Sequence, residues 1–286
     1  MTGIELLQRV ATPWLDRVAM IGTHVGSEAF FVAALSVTYL AIDAGAGRRL
    51  ALAVVVSQWT NQALKGVVDA PRPFELDPSL LRLPGAAETA PHASFPSGHA
   101  QVSATFWTFA AWHVRRRRFG LLAVAGVVGV AWTRPYLGVH TVPDVLAGVG
   151  IGVAIAAGAV GLVALGVRLP SVAEGALGVG VPLAGVLLVP TPDAARLAGA
   201  FAGVATAPLL RRHAPRGGPL RRAATAAAGL GAAAAVLAAG SAAARPLVAG
   251  GVPPAAVEAG VTLAAVYGAW VAAPWTADAL LGGGLR

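Results

Sequence analysis

The stretch GHAQVSATFWTFAAWHVRRRRFGLLAVAGVVGVAWT, residues 98–133, decides the fold. It is apolar from Gly98 to Val114, crosses four consecutive arginines (Arg115–Arg118), and is apolar again from Phe119 to Thr133. A helix suits lipid because it pairs all of its own backbone polar groups, whereas arginine is costly there. The stretch therefore reads as two membrane helices joined by a basic turn, and basic turns are retained on the cytoplasmic side.

Working outward, the same pattern repeats. The chain of 286 residues is 56% hydrophobic and 12% charged, about half the charge of a soluble domain. Residues 4–22 read as an amphipathic interfacial helix. Further spans are expected at 29–42, 50–68 and 140–167. Beyond them, four Ala/Gly-rich spans are expected at about 172–189, 193–210, 223–244 and 254–275. The expected fold is an all-α, polytopic transmembrane bundle of about nine spans plus the N-terminal interfacial helix. If every span crosses, the loops at Arg48–Arg49, Arg115–Arg118, Arg168 and Arg211–Arg222 share one side, which the positive-inside rule makes cytoplasmic. The acidic, proline-rich loop 69–97 and the short loop 134–139 then face outward. The first residues lack a cleavable signal sequence, so insertion is expected to rely on the helices themselves. The net charge of +8 comes largely from clusters between apolar runs, so nucleic-acid binding is not expected. Without cysteine, no disulfide or thiolate metal site is available.

Three polar clusters fall on the expected outer face. Lys65 and Arg72-Pro73 flank the end of the second span, where two cations can reach one anion. Pro96-Ser97-Gly98-His99 opens the third span. A helix N-terminus offers unpaired N–H groups and a positive dipole end, both suited to phosphate. Ser97 can cap or donate, and Gly98 lets the backbone approach closely. Thr133-Arg134, His140 and Asp144 form the third cluster. A spacing of four would put His140 and Asp144 on one helix face, with Pro143 tolerable only in a first turn. Asp144 can accept from one imidazole nitrogen and leave the other as a nucleophile. Together these residues supply three cations, a helix terminus, two histidines and an aspartate, with no paired-His or thiolate zinc pattern. Of the remaining polar and aromatic residues, Asn61 and its neighbours Gln58 and Gln62 read as interhelical glue, and Trp132 and Tyr136 as an aromatic belt.

In order and spacing, these three motifs resemble the signature of the type 2 phosphatidic acid phosphatase superfamily. The resemblance implies a membrane lipid phosphatase with a helical catalytic core over residues 1–168, leaving 169–286 as an additional helical region. It implies that His140 attacks phosphorus, Asp144 orients it and His99 protonates the leaving oxygen. Lys65, Arg72, Ser97, Gly98 and Arg134 would hold the phosphate, and no metal or other cofactor is implied. Thr133 stands where the family usually has Ser. The expected substrate is a lipid phosphate or diphosphate: phosphatidic acid, phosphatidylglycerol phosphate, polyprenyl diphosphate or a sphingoid phosphate. The expected location is the cytoplasmic membrane, with the site on its outer face. Two other readings are a lipid phosphotransferase using the same site and, from a different class, a lipid transporter or binding protein.

Overall fold

The computed structural model describes residues 3–91, 93–167, 191–210, 213–215 and 217–280, with isolated positions between 173 and 186. Every regular element among them is helical. Helix α1 (Gly3–Gln8) and helix α2 (Pro13–His24) replace the single helix expected over 4–22. The break has a local cause. Thr12 is extended and accepts the Leu15 N–H (3.3 Å), and Pro13 takes the first helical position, where its missing N–H costs nothing. Helix α3 (Glu28–Val37) continues into a π-turn, Thr38–Ile42, and is bent by 53° from α2. Helix α4 spans Ala44–Val68. The loop that follows holds three short helical turns, Pro73–Leu76, Pro78–Leu80 and Pro84–Glu88. Helices α5 (Gly98–Val114), α6 (Arg117–Tyr136) and α7 (Val142–Ala164) come next. Then follow α8 (Pro192–Leu210), α9 (Pro219–Ala249), α10 (Pro254–Tyr267), a second π-turn (Gly268–Ala272) and α11 (Ala273–Leu280).

Among the described residues, four helical segments are long and apolar enough to cross a membrane: Arg117–Tyr136, Val142–Ala164, Pro219–Ala249 and Pro254–Thr276. The bent pair α2–α3 brings the number to five if it counts as one span. The chain is thus an all-helical, multi-pass membrane protein, but the count falls short of the nine expected. The shortfall has physical reasons. Helix α5 has only 17 residues. Helix α4 carries Gln58, Asn61, Gln62 and Lys65 within its length, and α8 has Asp193 and Arg196 near its start. The expected span 172–189 lies outside the described residues apart from isolated positions.

The chain forms two compact units, Met1–Phe31 with Val56–Val167, and Val32–Val55 with Arg168–Arg286. In the first, α5 packs along α7, with α6 against both. The approach of α5 and α7 is close enough that a Cβ on Gly152 would run into the Gln101 carbonyl; small residues permit such contacts between membrane helices. A buried polar ladder ties α4 to these helices. Asn61 Nδ2 donates to Gln101 Oε1 (3.0 Å) and to the Pro96 carbonyl (3.2 Å). Gln101 Nε2 donates to the Ser57 carbonyl (2.7 Å), and Thr105 Oγ1 lies 2.9 Å from Ser57 Oγ. Asn61 therefore acts as interhelical glue.

The loop after α4 is clamped down by the N-terminal helices. Gln8 Nε2 donates to the carbonyls of Leu80 (2.8 Å) and Tyr136 (2.9 Å), and Arg82 donates to both oxygens of Asp16 (2.9 and 3.0 Å). Beneath lie buried Ala19, Ala86, Ala90, Tyr136, Leu137 and Val139. Tyr136 is fully buried and its hydroxyl donates to Asp16 (2.7 Å), so it belongs to this core and not to an aromatic belt. In the second unit, α8 and α9 pack on α10, and Tyr39 stacks on Trp270 with centroids 3.9 Å apart.

Candidate active site

Three helix ends meet in the first unit: the start of α5, the last turn of α6 and the start of α7. Arg115–Arg118 join the far ends of α5 and α6, roughly 25 Å away for a helix of this length. Lys65, in the last turn of α4, donates to the Ala93 carbonyl. Arg72 stands between Pro71 and Pro73 and opens the first short turn. Its Nη1 donates to the Val139 carbonyl (2.8 Å) and to His140 Nε2 (2.7 Å). Arg134 lies in the last helical turn of α6, not in the loop expected from the sequence. Its Nη1 donates to the hydroxyl oxygens of Thr23 and Thr89 (3.0 Å to the latter), and its Nη2 to the Thr89 carbonyl (3.1 Å). All three cations are buried: Lys65 is 7% exposed, Arg72 3% and Arg134 0%. The Thr133 hydroxyl donates to the Val130 carbonyl of its own helix (2.7 Å).

Ser97 is the N-cap residue of α5. Its N–H donates to the Asp144 carbonyl (3.0 Å), and its buried Oγ has no hydrogen-bond partner. Gly98 opens the first turn beside the Asn61 carboxamide. His99 follows, within electrostatic reach of Arg134, His140, Arg72 and Lys65.

His140 and Asp144 come together by a route the sequence did not indicate. Helix α7 begins at Val142, so His140 precedes it and the two do not share a helix face. The turn Gly138 (φ +78°) sets the approach; a Cβ there would overlap the Leu80 carbonyl. Thr141 then caps α7: its Oγ1 accepts the Asp144 N–H (3.3 Å) while Asp144 Oδ2 accepts the Thr141 N–H (2.8 Å). This reciprocal capping box holds Asp144 Oδ2 3.7 Å from His140 Nδ1, beyond hydrogen-bond length. A guanidinium has no lone pair, so Nε2 accepts from Arg72 and the ring proton belongs on Nδ1, facing Asp144. Burial, helped by the Arg72, Arg134 and Lys65 charges, pushes the His140 imidazole well below its ordinary pKa against the opposing pull of Asp144. Burial also lowers Arg72 to about 10, which leaves it charged at neutral pH.

All eight residues singled out from the sequence thus lie on elements that meet at these helix ends. Sequence reasoning missed three that support them: Thr23 and Thr89 on Arg134, and Ser94, whose Oγ donates to Asp144 Oδ2 (2.7 Å). None lies at a position that periodicity or motif spacing marks. Among the described residues, no group of three or more His, Cys, Asp or Glu side chains is arranged to hold a metal ion.

Residues 46–165 match the PAP2 superfamily, the segment that holds all three sequence motifs. One relative is the Escherichia coli (strain K12) protein YbjG, assigned as an undecaprenyl-diphosphatase. It is 38% identical over 101 residues, which are 35% of this chain and 48% of that one. The chain therefore spans about half the length of the curated relative it matches. A solved structure, the PAP2-type phosphatidylglycerolphosphate phosphatase of Bacillus subtilis, is similar with a TM-score of 0.50 and 25% identity, covering 58% of this chain and 85% of that one.

Proposed function

We propose that this protein is a membrane-embedded, metal-independent phosphatase that hydrolyses a lipid phosphate or diphosphate through a phosphohistidine intermediate. The observation that carries the reading is the bond from Arg72 to His140 Nε2: an unprotonated imidazole nitrogen held by one of three buried cations. A phosphoryl group entering there takes Arg72 from Nε2 onto its own oxygens. Lys65, Arg134, the Ser97 hydroxyl and the first N–H groups of α5 at Gly98 hold the remaining oxygens. His140 Nε2 then attacks phosphorus in line, and the imidazolium is stabilised through Nδ1–H by Asp144. The P–O bond to the lipid breaks as His99 gives a proton to the leaving oxygen. In the second step His99 takes a proton from water, water attacks the phosphohistidine, and phosphate leaves with His140 neutral again. Phosphoryl transfer asks mainly for positioning and charge stabilisation, which buried cations and a helix terminus provide.

The likeness to an undecaprenyl-diphosphatase and to a phosphatidylglycerolphosphate phosphatase supports a lipid substrate. The arginine clusters support a site on the outer face of the cytoplasmic membrane. In this reading residues 1–168 are the catalytic core and 169–286 an additional helical region. The test is phosphate release by the purified protein in detergent with EDTA, against dioctanoyl phosphatidic acid, dioctanoyl phosphatidylglycerol phosphate and farnesyl diphosphate. At least one should be hydrolysed, with an acid-labile phosphoenzyme that His140→Ala lacks. No release from any of them, as a transporter would give, defeats the reading. Activity that returns only on adding a divalent ion defeats its metal-free part.

A further inference from the structure

Ser94 lies two residues before the Pro96-Ser97-Gly98-His99 cluster and belongs to none of the three motifs. It is 2% exposed. Its Oγ donates to Asp144 Oδ2 (2.7 Å), and its N–H donates to the carbonyl of Ala70 (2.8 Å), two residues before Arg72. Three residues later, the Ser97 N–H holds the Asp144 main-chain carbonyl (3.0 Å). One short segment therefore fastens Asp144 at side chain and backbone while anchoring the loop that carries Arg72.

The carboxylate geometry shows what Ser94 does. Oδ2 is the oxygen that faces His140 Nδ1 at 3.7 Å. The same oxygen accepts the Thr141 N–H (2.8 Å), a donor on the chain just ahead of Asp144 itself. Ser94 supplies a donor from a different segment. Two donors converging on Oδ2 from separate directions fix the carboxylate plane; with Thr141 alone the group can turn about its Cβ–Cγ bond. Asp144 is 6% exposed, so solvent is a poor substitute for the missing hydroxyl.

We infer that Ser94 is a positioning residue for the nucleophile, aiming the Asp144 carboxylate at His140 and coupling that aim to the Arg72 loop. The inference rests on the roles proposed above for His140 and Asp144. A hydrogen bond to a charged group sets the scale: Ser94→Ala lowers kcat by roughly ten- to a hundredfold. Ser94 does not belong to the phosphate cradle, so KM and the inhibition constant of inorganic phosphate stay within about twofold. Vanadate behaves differently. It resembles the transition state when His140 is aimed at it as an axial ligand, so its inhibition constant rises in step with the loss of kcat.

The experiment measures kcat, KM and both inhibition constants for wild type, Ser94→Ala, Ser94→Thr and Asp144→Asn, with farnesyl diphosphate or dioctanoyl phosphatidic acid in micelles. Ser94→Thr keeps the donor and recovers most of the rate. If the alanine variant does not survive extraction, Ser94→Cys, closest in volume and a weaker donor, takes its place. Phosphate and vanadate weakening together mark a loosened site and overturn the inference, as does an unchanged kcat in Ser94→Ala. An unchanged kcat in Asp144→Asn overturns the role given to Asp144 itself, and this inference with it.

Discussion

Thr89 lies in the loop between α4 and α5, where sequence offers no reason to expect a role, yet it holds Arg134 twice. Its Oγ1 accepts from Nη1 (3.0 Å) and its carbonyl accepts from Nη2 (3.1 Å). Thr89→Val removes the first contact and keeps the second, with nearly the same side-chain shape. The hydroxyl's own donation to the Ala86 carbonyl (2.7 Å) is also lost. That carbonyl stays paired, because it accepts the Thr89 N–H (3.1 Å) as well. The cost therefore falls on Arg134. A hydrogen bond to a charged group is worth about 1.5–3 kcal/mol. Thr23 and the Thr89 carbonyl still hold the guanidinium, so the lower end applies: about 1.5 kcal/mol, or roughly tenfold in kcat/KM. The assay is steady-state hydrolysis in micelles together with the inhibition constant of inorganic phosphate, which should weaken in parallel. A thermal midpoint in detergent serves as the folding control. If kcat/KM and phosphate affinity both stay within twofold while the protein remains folded, then Arg134 does not hold phosphate through the geometry described.

Removing the proposed acid, His99→Ala, should cost most of the 10²–10⁴-fold that general acid catalysis provides on a lipid monophosphate. It should cost much less on p-nitrophenyl phosphate, whose leaving group needs little protonation; equal losses would remove His99 from the acid role. Burial lowers the His140 pKa and protonation removes its attacking lone pair, so the acid limb of kcat/KM should lie below pH 6.5. Asp144 raises that pKa, so in Asp144→Asn the limb should move further to the acid side, and a shift toward neutral pH would contradict the pairing. A cysteine placed at exposed Ser79 in this cysteine-free chain should react with an impermeant thiol reagent on intact cells. Labelling only after lysis would put the site on the other face.

How far the sequence carried the reading depended on the physics behind each signal. Lys65, Arg72, the Pro96–His99 run, Arg134, His140 and Asp144 were legible because they lie in short segments at fixed spacing beside apolar spans. The meeting of His140 and Asp144 was legible, but its cause was not: Thr141 and the Gly138 turn arrange it, where helical spacing was expected to. Thr23, Thr89 and Ser94 were invisible because each acts across the chain, 111, 45 and 50 residues from its partner. Tyr136 read as interfacial because aromatics near a span end usually are, whereas the N-terminal helices cover it and Asp16 takes its hydroxyl. The span count was least secure for a related reason. Polar residues on α4 that serve the interior, Asn61 and Lys65 among them, lower its apolar character as surely as surface charge would.

The charges gathered at the proposed phosphate site bear on stability as well as on binding. Lys65, Arg72 and Arg134 are buried together, and Asp144 is the one buried acid among the described residues. Three formal positive charges against one negative leave an excess of two, the charge of a phosphate dianion with its sign reversed. Burying a charge costs stability unless it is well paired, and Lys65 meets two like charges, Arg72 and Arg134, against one opposite charge, Asp144. Lys65→Met should therefore leave the melting temperature unchanged or higher, even though the donation to the Ala93 carbonyl is lost, while turnover collapses. Inorganic phosphate should raise the melting temperature of the wild type, since a ligand at a hundred times its Kd adds about 2.7 kcal/mol. In Lys65→Met that shift should shrink or vanish. A variant that melts several degrees lower and still responds fully to phosphate would mean that Lys65 supports the fold and not the anion. The opposite pattern, a stabler protein indifferent to phosphate, is what a site built for a dianion at the expense of stability requires.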